Sequence, residues 1–343
     1  MLDCCLESLD STGYQAPGCP RYGPGNVKEP NFFIVGAPRC GTTALFTQLG
    51  SHPQIFLNPR RKEVHYFGTD LHRHGGRRFT EEEYLGFFAG ATDELRVGEA
   101  STSYFYSKRA ASEIKQFNPA AKIIIMLRDP VEMMYSLHTL FVFHGEEPLT
   151  DFAAALHAEE QRKRGLCLPD GPYLLEALLY REIARFSQHV SRYFDVFGRE
   201  NVHIIIFDDF VSETPRIYSK TLRFLDVNTD FQPHFKIVNL NRSARIKRLN
   251  DLLRHPPLIA QAVSHILLPE RLRELSRGLL VRLNTSHRPR PPIDPGLRRQ
   301  LQHDLLPEVE QLSALLGRDL TRWCKDQQDD QVRSTIRPTK RAE

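Results

Sequence analysis

The chain has 343 residues, with 46 Lys and Arg against 42 Asp and Glu, 41% hydrophobic and 26% charged, a soluble globular profile with length for one large α/β domain or two small ones. Its formal balance of +4 carries no dominant basic block, which excludes a duplex nucleic-acid footprint resting on charge, so an anionic partner has to be met locally. The six Cys, at 4, 5, 19, 40, 167 and 324, give neither a disulfide framework nor paired zinc-ligand spacing, and no apolar run reaches the about 18 residues of a membrane span.

Residues 1–30, with Pro17, Gly18, Pro20, Gly23, Pro24, Gly25 and Pro30 and almost no periodicity, read as an irregular leader. Its start carries Asp3, Glu7 and Asp10 and no apolar stretch, which is not the pattern of a secretory signal; with the scattered Cys this gives the expectation of a reducing, cytoplasmic setting. Cys4 and Cys5 read as inert in the absence of a second membrane signal. Four apolar runs, 32–35, 97–100, 122–127 and 203–207, predict buried strands. Helices are predicted over 129–143, 173–197, 214–225 and 294–316, three of them with Pro in the first turn, at Pro130, Pro215 and Pro295. The alternation predicts an α/β fold: a parallel sheet of P-loop type flanked by helices on both faces, in a single domain over 31–324. From 325 to 343 the composition is that of a disordered tail.

The first strand runs into Gly36-Ala37-Pro38-Arg39-Cys40-Gly41-Thr42-Thr43-Ala44, then a helix with Leu45 and Leu49 on one face. Gly36 and Gly41 have G-x-x-x-x-G spacing, which lets backbone amides and a helix N-terminus converge on an anion. Thr42 stands where a nucleotide triphosphatase has its phosphate Lys, and the cation has moved inside the loop to Arg39, which suits a shorter anion than a triphosphate with its metal. A second strand ends at Arg128, and the helix after it carries Ser136 two turns on. Ligands of open α/β sheets bind outside the carboxyl ends of strands, so Arg128 and the first loop can face one crevice, where a guanidinium fork and a hydroxyl suit a phosphate monoester.

These residues resemble the sulfotransferases that use 3′-phosphoadenosine 5′-phosphosulfate. Residues 36–45 are similar to their 5′-phosphosulfate loop, and 128–136 to their 3′-phosphate motif. Lys62-Glu63-Val64-His65-Tyr66-Phe67 resembles the K-E-x-H-[FY]-F segment of the heparan-sulfate and bacterial carbohydrate enzymes, and 98–104 resembles the E-x-[ST]-P-x-Y segment that follows it. Residues 283–290 and 312–323 resemble the closing motifs of the bacterial members, so the likeness spans about 31–323 in order. The chain departs from the pattern at Arg39, where many relatives have Lys, at Ala100, where the heparan enzymes have Lys, and at Thr102, where Pro is usual. The acceptor contacts of those enzymes are therefore not carried over.

The resemblance implies transfer of a sulfuryl group from 3′-phosphoadenosine 5′-phosphosulfate to a hydroxyl or amine of a small-molecule or glycan acceptor, with a carbohydrate favoured and no metal required. It implies Glu63 as the base, with His65 orienting the acceptor or sharing the proton if 63–65 is extended. Arg39, the amides of Cys40, Gly41, Thr42, Thr43 and Ala44 and the two Thr hydroxyls would neutralise charge on the leaving 5′-phosphate. Arg128 and Ser136 would hold the 3′-phosphate, and Ser286, Arg288 and Arg290 of the closing motif would join the donor site. Residues 141–173 and 245–283 follow the family pattern least and are expected to shape the acceptor side. Two rivals stay open: a P-loop kinase with Asp208 and Asp209 as a magnesium-binding strand end, and a nucleotide-binding protein without turnover. His72 and His74 lack a ligand cluster, 159–164 reads as a solvated helix end, Trp323 as a core anchor, and Leu297, Leu301, Leu305 and Leu312 as ordinary helix packing.

Overall fold

Strands apolar at every position need cover on both faces, and two such strands form the middle of the molecule. The computed structural model describes residues 27–71, 77–169, 174–235, 243–244, 280, 284–286 and 290–325. Phe32–Gly36 (β1), Ile55–Leu57 (β2), Arg96–Ala100 (β3), Lys122–Leu127 (β4) and Val202–Ile206 (β5) form one parallel sheet in the order β2-β3-β1-β4-β5. Residues 32–35 of β1 and 123–127 of β4 are fully buried. The flanking helices are Thr42–Leu49 (α1), Glu81–Gly86 (α2), Ala110–Phe117 (α3), Pro130–His144 (α4), Phe152–Lys163 (α5), Tyr180–Ile183 (α6), Phe186–Phe197 (α7), Phe207–Ser212 (α8), Thr214–Phe224 (α9) and Pro295–Leu316 (α10). Ser243–Ala244 (β6) and Thr285–Ser286 (β7) pair antiparallel beside this single α/β domain. Among the described residues no helix is long and apolar enough to cross a membrane.

Local chemistry sets the helix starts. Asp129 accepts hydrogen bonds from the amides of Val131 (2.8 Å) and Glu132 (3.3 Å) ahead of α4, and Asp294 accepts from Leu297 N (2.8 Å) ahead of α10, each with Pro at the first helical position. Both helices end at a glycine in the left-handed region, Gly145 and Gly317.

Three expectations are corrected, and one strand is added. Phe207 does not end a strand: β5 stops at Ile206 and Phe207 opens α8. The helix expected over 173–197 is a short 3-10 turn, Leu175–Leu178, then α6 and α7; Tyr173 lies outside the described residues. The backbone leaves the helical region at Leu179 and Arg185, where Ser187 N donates to the Glu308 carboxylate (2.5 Å) and His189 Nε2 to Glu182 O (2.9 Å). The strand β2 had no counterpart in the sequence reading. Residues 159–164 are a solvated end only in part: Glu160, Gln161, Lys163 and Arg164 are exposed, whereas Glu159 and Arg162 are buried. Trp323, Leu301, Leu305 and Leu312 are buried as expected, whereas residues 1–26, His72, His74 and 326–343, and 245–283 apart from 280, lie outside the described residues.

Candidate functional site

The strand order places a crevice. The chain leaves β1 through α1 toward β2 at one edge, and leaves β4 through α4 toward β5 at the other, so the connections part between β1 and β4. The loop 36–41 and Arg128 flank that point.

The loop is shaped by glycine at both ends. Gly36 (φ 153°) has no room for a Cβ, which would lie 2.4 Å from Phe105 Cβ; at Gly41 (φ 93°) it would lie 2.9 Å from Phe207 Cδ2. Arg39 between them is also left-handed, at φ 61°. Gly41 starts α1 without a side-chain cap and with no carboxylate in the first turn, a helix N-terminus suited to an external anion. Cys40 is buried, with Sγ directed at Pro38 O (3.4 Å); burial pushes its thiol up to about 12, which takes it out of nucleophilic chemistry.

The two predicted phosphate segments meet directly: Arg39 Nε donates to Ser136 Oγ, buried on α4, at 2.9 Å. Arg128 lies over the Phe207 ring, 4.8 Å from its centroid, and faces Glu132 at 3.4 Å. Glu132 also takes Arg290 at 3.3 Å and a short ion pair from Arg298 of α10. Burial works to raise the Glu132 carboxyl, but Arg298, Arg128 and Arg290 together hold it below its usual range. Burial pushes the capping Asp129 up to about 6. Arg290 lies 5.4 Å from the Tyr135 ring centroid, and its Nη1 is buried with no hydrogen-bond partner among the described residues. Of the other closing-motif residues, Ser286 is placed by its backbone in β7 opposite Ser243, and Arg288 lies outside the described residues.

Glu63 stands beside the loop. Its carboxylate accepts from Thr102 N (2.7 Å) and Thr102 Oγ1 (3.2 Å) and is paired with the Lys62 ammonium, while its own amide donates to Ala100 O (2.8 Å). The carbonyl of Thr102 packs against Gly36, 3.3 Å from the position a Cβ would take there, so the group that holds Glu63 also lines the phosphate loop. The segment is not extended: Glu63 (φ 63°) and His65 (φ 55°) are both left-handed, and this brings His65 Nε2 to 3.9 Å from Glu63 Oε2. His65 Nδ1 is 2.7 Å from Ser103 Oγ, and its amide donates to Ser101 Oγ at 2.9 Å.

Behind these residues lies Glu99, fully buried, which the sequence reading did not single out. It accepts from Ser101 Oγ (2.5 Å), Tyr104 OH (2.7 Å) and Tyr84 OH (2.7 Å), and Tyr104 OH in turn accepts from the amides of Tyr66 (2.8 Å) and Phe67 (3.2 Å). Burial pushes its carboxyl up to about 7. Glu99, Ser101 and Tyr104 fall inside the 98–104 motif, so the signal was present; Lys62 was in its motif likewise. Arg298, by contrast, has no local signal. Asp208 and Asp209 are spoken for: Asp209 by Arg318, whose hydrogen bond holds its carboxyl low, and Asp208 by Arg322 (3.0 Å) and Trp323 Nε1 (3.2 Å).

A model of the sulfotransferase domain matches residues 29–251. Carbohydrate sulfotransferase 15 of Mus musculus is 26% identical over 274 residues, covering 65% of this chain and 48% of that protein. Bifunctional heparan sulfate N-deacetylase/N-sulfotransferase 4 of Mus musculus is 28% identical over 215 residues, covering 60% and 23%. The chain thus spans about half the length of the first relative and about a quarter of the second. A crystal structure of a sulfotransferase from Alicyclobacillus acidocaldarius superposes with TM-score 0.64 at 30% identity, covering 87% of this chain and all of that one.

Proposed function

The chain belongs to the sulfotransferase domain family, and from that premise we propose that it moves a sulfuryl group from 3′-phosphoadenosine 5′-phosphosulfate to a hydroxyl or amine of a carbohydrate or glycoconjugate. The observation that carries the reading is the Arg39–Ser136 hydrogen bond, which joins the loop after β1 to the helix after β4 in one anion-binding crevice. The residues fit such a donor: an uncapped helix N-terminus and Arg39 face one end, while Arg128 and the buried Nη1 of Arg290, without a hydrogen-bond partner among the described residues, offer donors to a second anionic group. The donor supplies a sulfuryl group activated by its bond to the 5′-phosphate. Arg39 and the amides of 40–44 bind that 5′-phosphate and stabilise the charge left on it. Arg128, Ser136 and Arg290 hold the 3′-phosphate. Glu63, oriented by Thr102 and Lys62, takes the acceptor proton, and His65 positions the acceptor beside it. The relatives' carbohydrate chemistry supports the acceptor class.

The scheme takes its positive charge from Arg39, Arg128, Arg290 and the N-terminus of α1 and calls for no metal. The kinase alternative would need Asp208 and Asp209 for magnesium, and both are engaged by Arg318, Arg322 and Trp323. Calorimetric titration separates the readings. The wild type is expected to bind 3′-phosphoadenosine 5′-phosphate in the presence of EDTA, with affinity reduced at least about tenfold by Arg128→Ala. Preference for ADP with magnesium, or an Arg128→Ala variant that binds as the wild type does, overturns the proposal. Label transfer from the phosphosulfate donor to glycosaminoglycan oligosaccharides then tests the acceptor class.

A further inference from the structure

One carboxylate sits where three guanidiniums meet. Glu132, one helical turn after Arg128 on α4, gives Oε1 to a short ion pair with Arg298, and its Oε2 lies 3.4 Å from Arg128 Nη2 and 3.3 Å from Arg290 Nη2. The latter two contacts are longer than the roughly 2.7–2.9 Å of a good charge-assisted hydrogen bond. Both arms also lie over rings, Arg128 over Phe207 and Arg290 over Tyr135, contacts that do not involve Glu132. Three guanidiniums against the Glu132 carboxylate, with the buried Asp129 carboxyl beside Arg298, still leave an excess of positive charge, and Arg290 Nη1 has no acceptor among the described residues.

We infer that Glu132 is an internal anion standing in for the donor's 3′-phosphate between Arg128 and Arg290, and that Arg298, by clamping Oε1, keeps it from closing fully on them. The inference rests on the donor reading above and adds to it an affinity-setting pair, Glu132 and Arg298. A phosphate monoester brings more charge and more acceptor oxygens than one carboxylate oxygen, so it displaces Oε2 from the two arms; the carboxylate retains Arg298. Glu132 thereby competes with the 3′-phosphate and acts on no other part of the donor. Arg298 acts through Glu132, not on the ligand.

The test is calorimetric binding of 3′-phosphoadenosine 5′-phosphate and of AMP, which lacks the 3′-phosphate, to the full chain. Glu132→Gln keeps the shape and removes the competing charge, so it is expected to bind the bisphosphate roughly five- to tenfold tighter while AMP affinity changes less than about twofold. Arg298→Met frees the carboxylate to close on Arg128 and Arg290 and weakens the bisphosphate by a similar factor, again sparing AMP. In the Glu132→Gln background the Arg298→Met effect vanishes, the non-additivity expected of a residue that works through another. Bisphosphate affinity in Glu132→Gln equal to or below that of the wild type overturns the inference and leaves the donor reading standing. Weakening by Arg298→Met in both backgrounds also overturns it, because Arg298 would then contact the phosphate itself. Failure of wild type and Glu132→Gln alike to bind the bisphosphate overturns both readings. Should Glu132→Gln fail to fold, as judged by thermal melting, Arg298→Met decides alone: unchanged bisphosphate affinity in that variant overturns the inference.

Discussion

Glu63 occupies a backbone conformation that costs an L-residue on the order of 1–2 kcal/mol, and the hydrogen bond from its amide to Ala100 O holds it there. Its carboxylate is fixed by Thr102 and Lys62, so the charge is aimed and not floating. Glu63→Gln preserves an acceptor for Thr102 and removes the capacity to take a proton; label transfer is expected to fall about 100-fold or more, with bisphosphate affinity within about twofold of wild type. Transfer near the wild-type rate would remove Glu63 from the role of base. The identity of this residue was legible because K-E-x-H is a motif. Its setting was not: an extended segment would put Glu63 and His65 on one side by period two, whereas two left-handed residues achieve their approach here. Thr102, which replaces the usual Pro, keeps the backbone N–H that a Pro would lack, and that N–H is the donor to Glu63 at 2.7 Å.

Elements whose signals are local were the ones the sequence revealed. The starts of α4 and α10 are written in Asp-Pro, and β1 and β4 in unbroken apolar runs. The strand β2 has three residues, too few for a period, and the break between α6 and α7 depends on Glu308, more than 100 positions away. Two buried members of the otherwise solvated end of α5, Glu159 and Arg162, went unread for the same reason. Arg162 makes two 2.7 Å hydrogen bonds to Glu147, which lies before α5, and Tyr180 OH of α6 adds a third at 2.8 Å, all three groups buried. A helix read alone shows the charge and not the partner. Arg162→Met leaves Glu147 buried and uncompensated, so urea unfolding is expected to show a loss of about 3–5 kcal/mol, most of it recovered when Glu147→Met is added. A single variant within about 1 kcal/mol of wild type would mean that water reaches Glu147.

At the scale of the whole molecule, alternation predicted a parallel sheet, but the neighbours in that sheet are set by long-range contacts, and one of these ties the site to the stability of the fold. Glu99, the buried penultimate residue of β3, joins α2 through Tyr84, and through Ser101 and Tyr104 fixes the amides of residues 65–67 that follow Glu63. Burial raises its carboxyl to about 7. Between the ordinary glutamate range and about 7, the folded chain therefore retains a proton that the unfolded chain has released. By linkage, the contribution of Glu99 to stability falls as pH rises through that window and is constant above it, a loss on the order of 3 kcal/mol in all. Asp129, raised to about 6 by burial, acts in the same direction, while His189 and His203, lowered to about 4 by burial, act oppositely because neutral imidazole is favoured as pH rises. The total pH profile thus mixes several groups, and only a difference profile isolates Glu99. Glu99→Gln removes this titration, so wild-type minus variant unfolding free energy, measured in urea at pH 5 to 8, is expected to decline to about pH 7 and then flatten. Parallel profiles for the two proteins would show that the Glu99 proton is not linked to folding, and would separate the anchoring of residues 65–67 from the ionisation of the carboxyl beneath them.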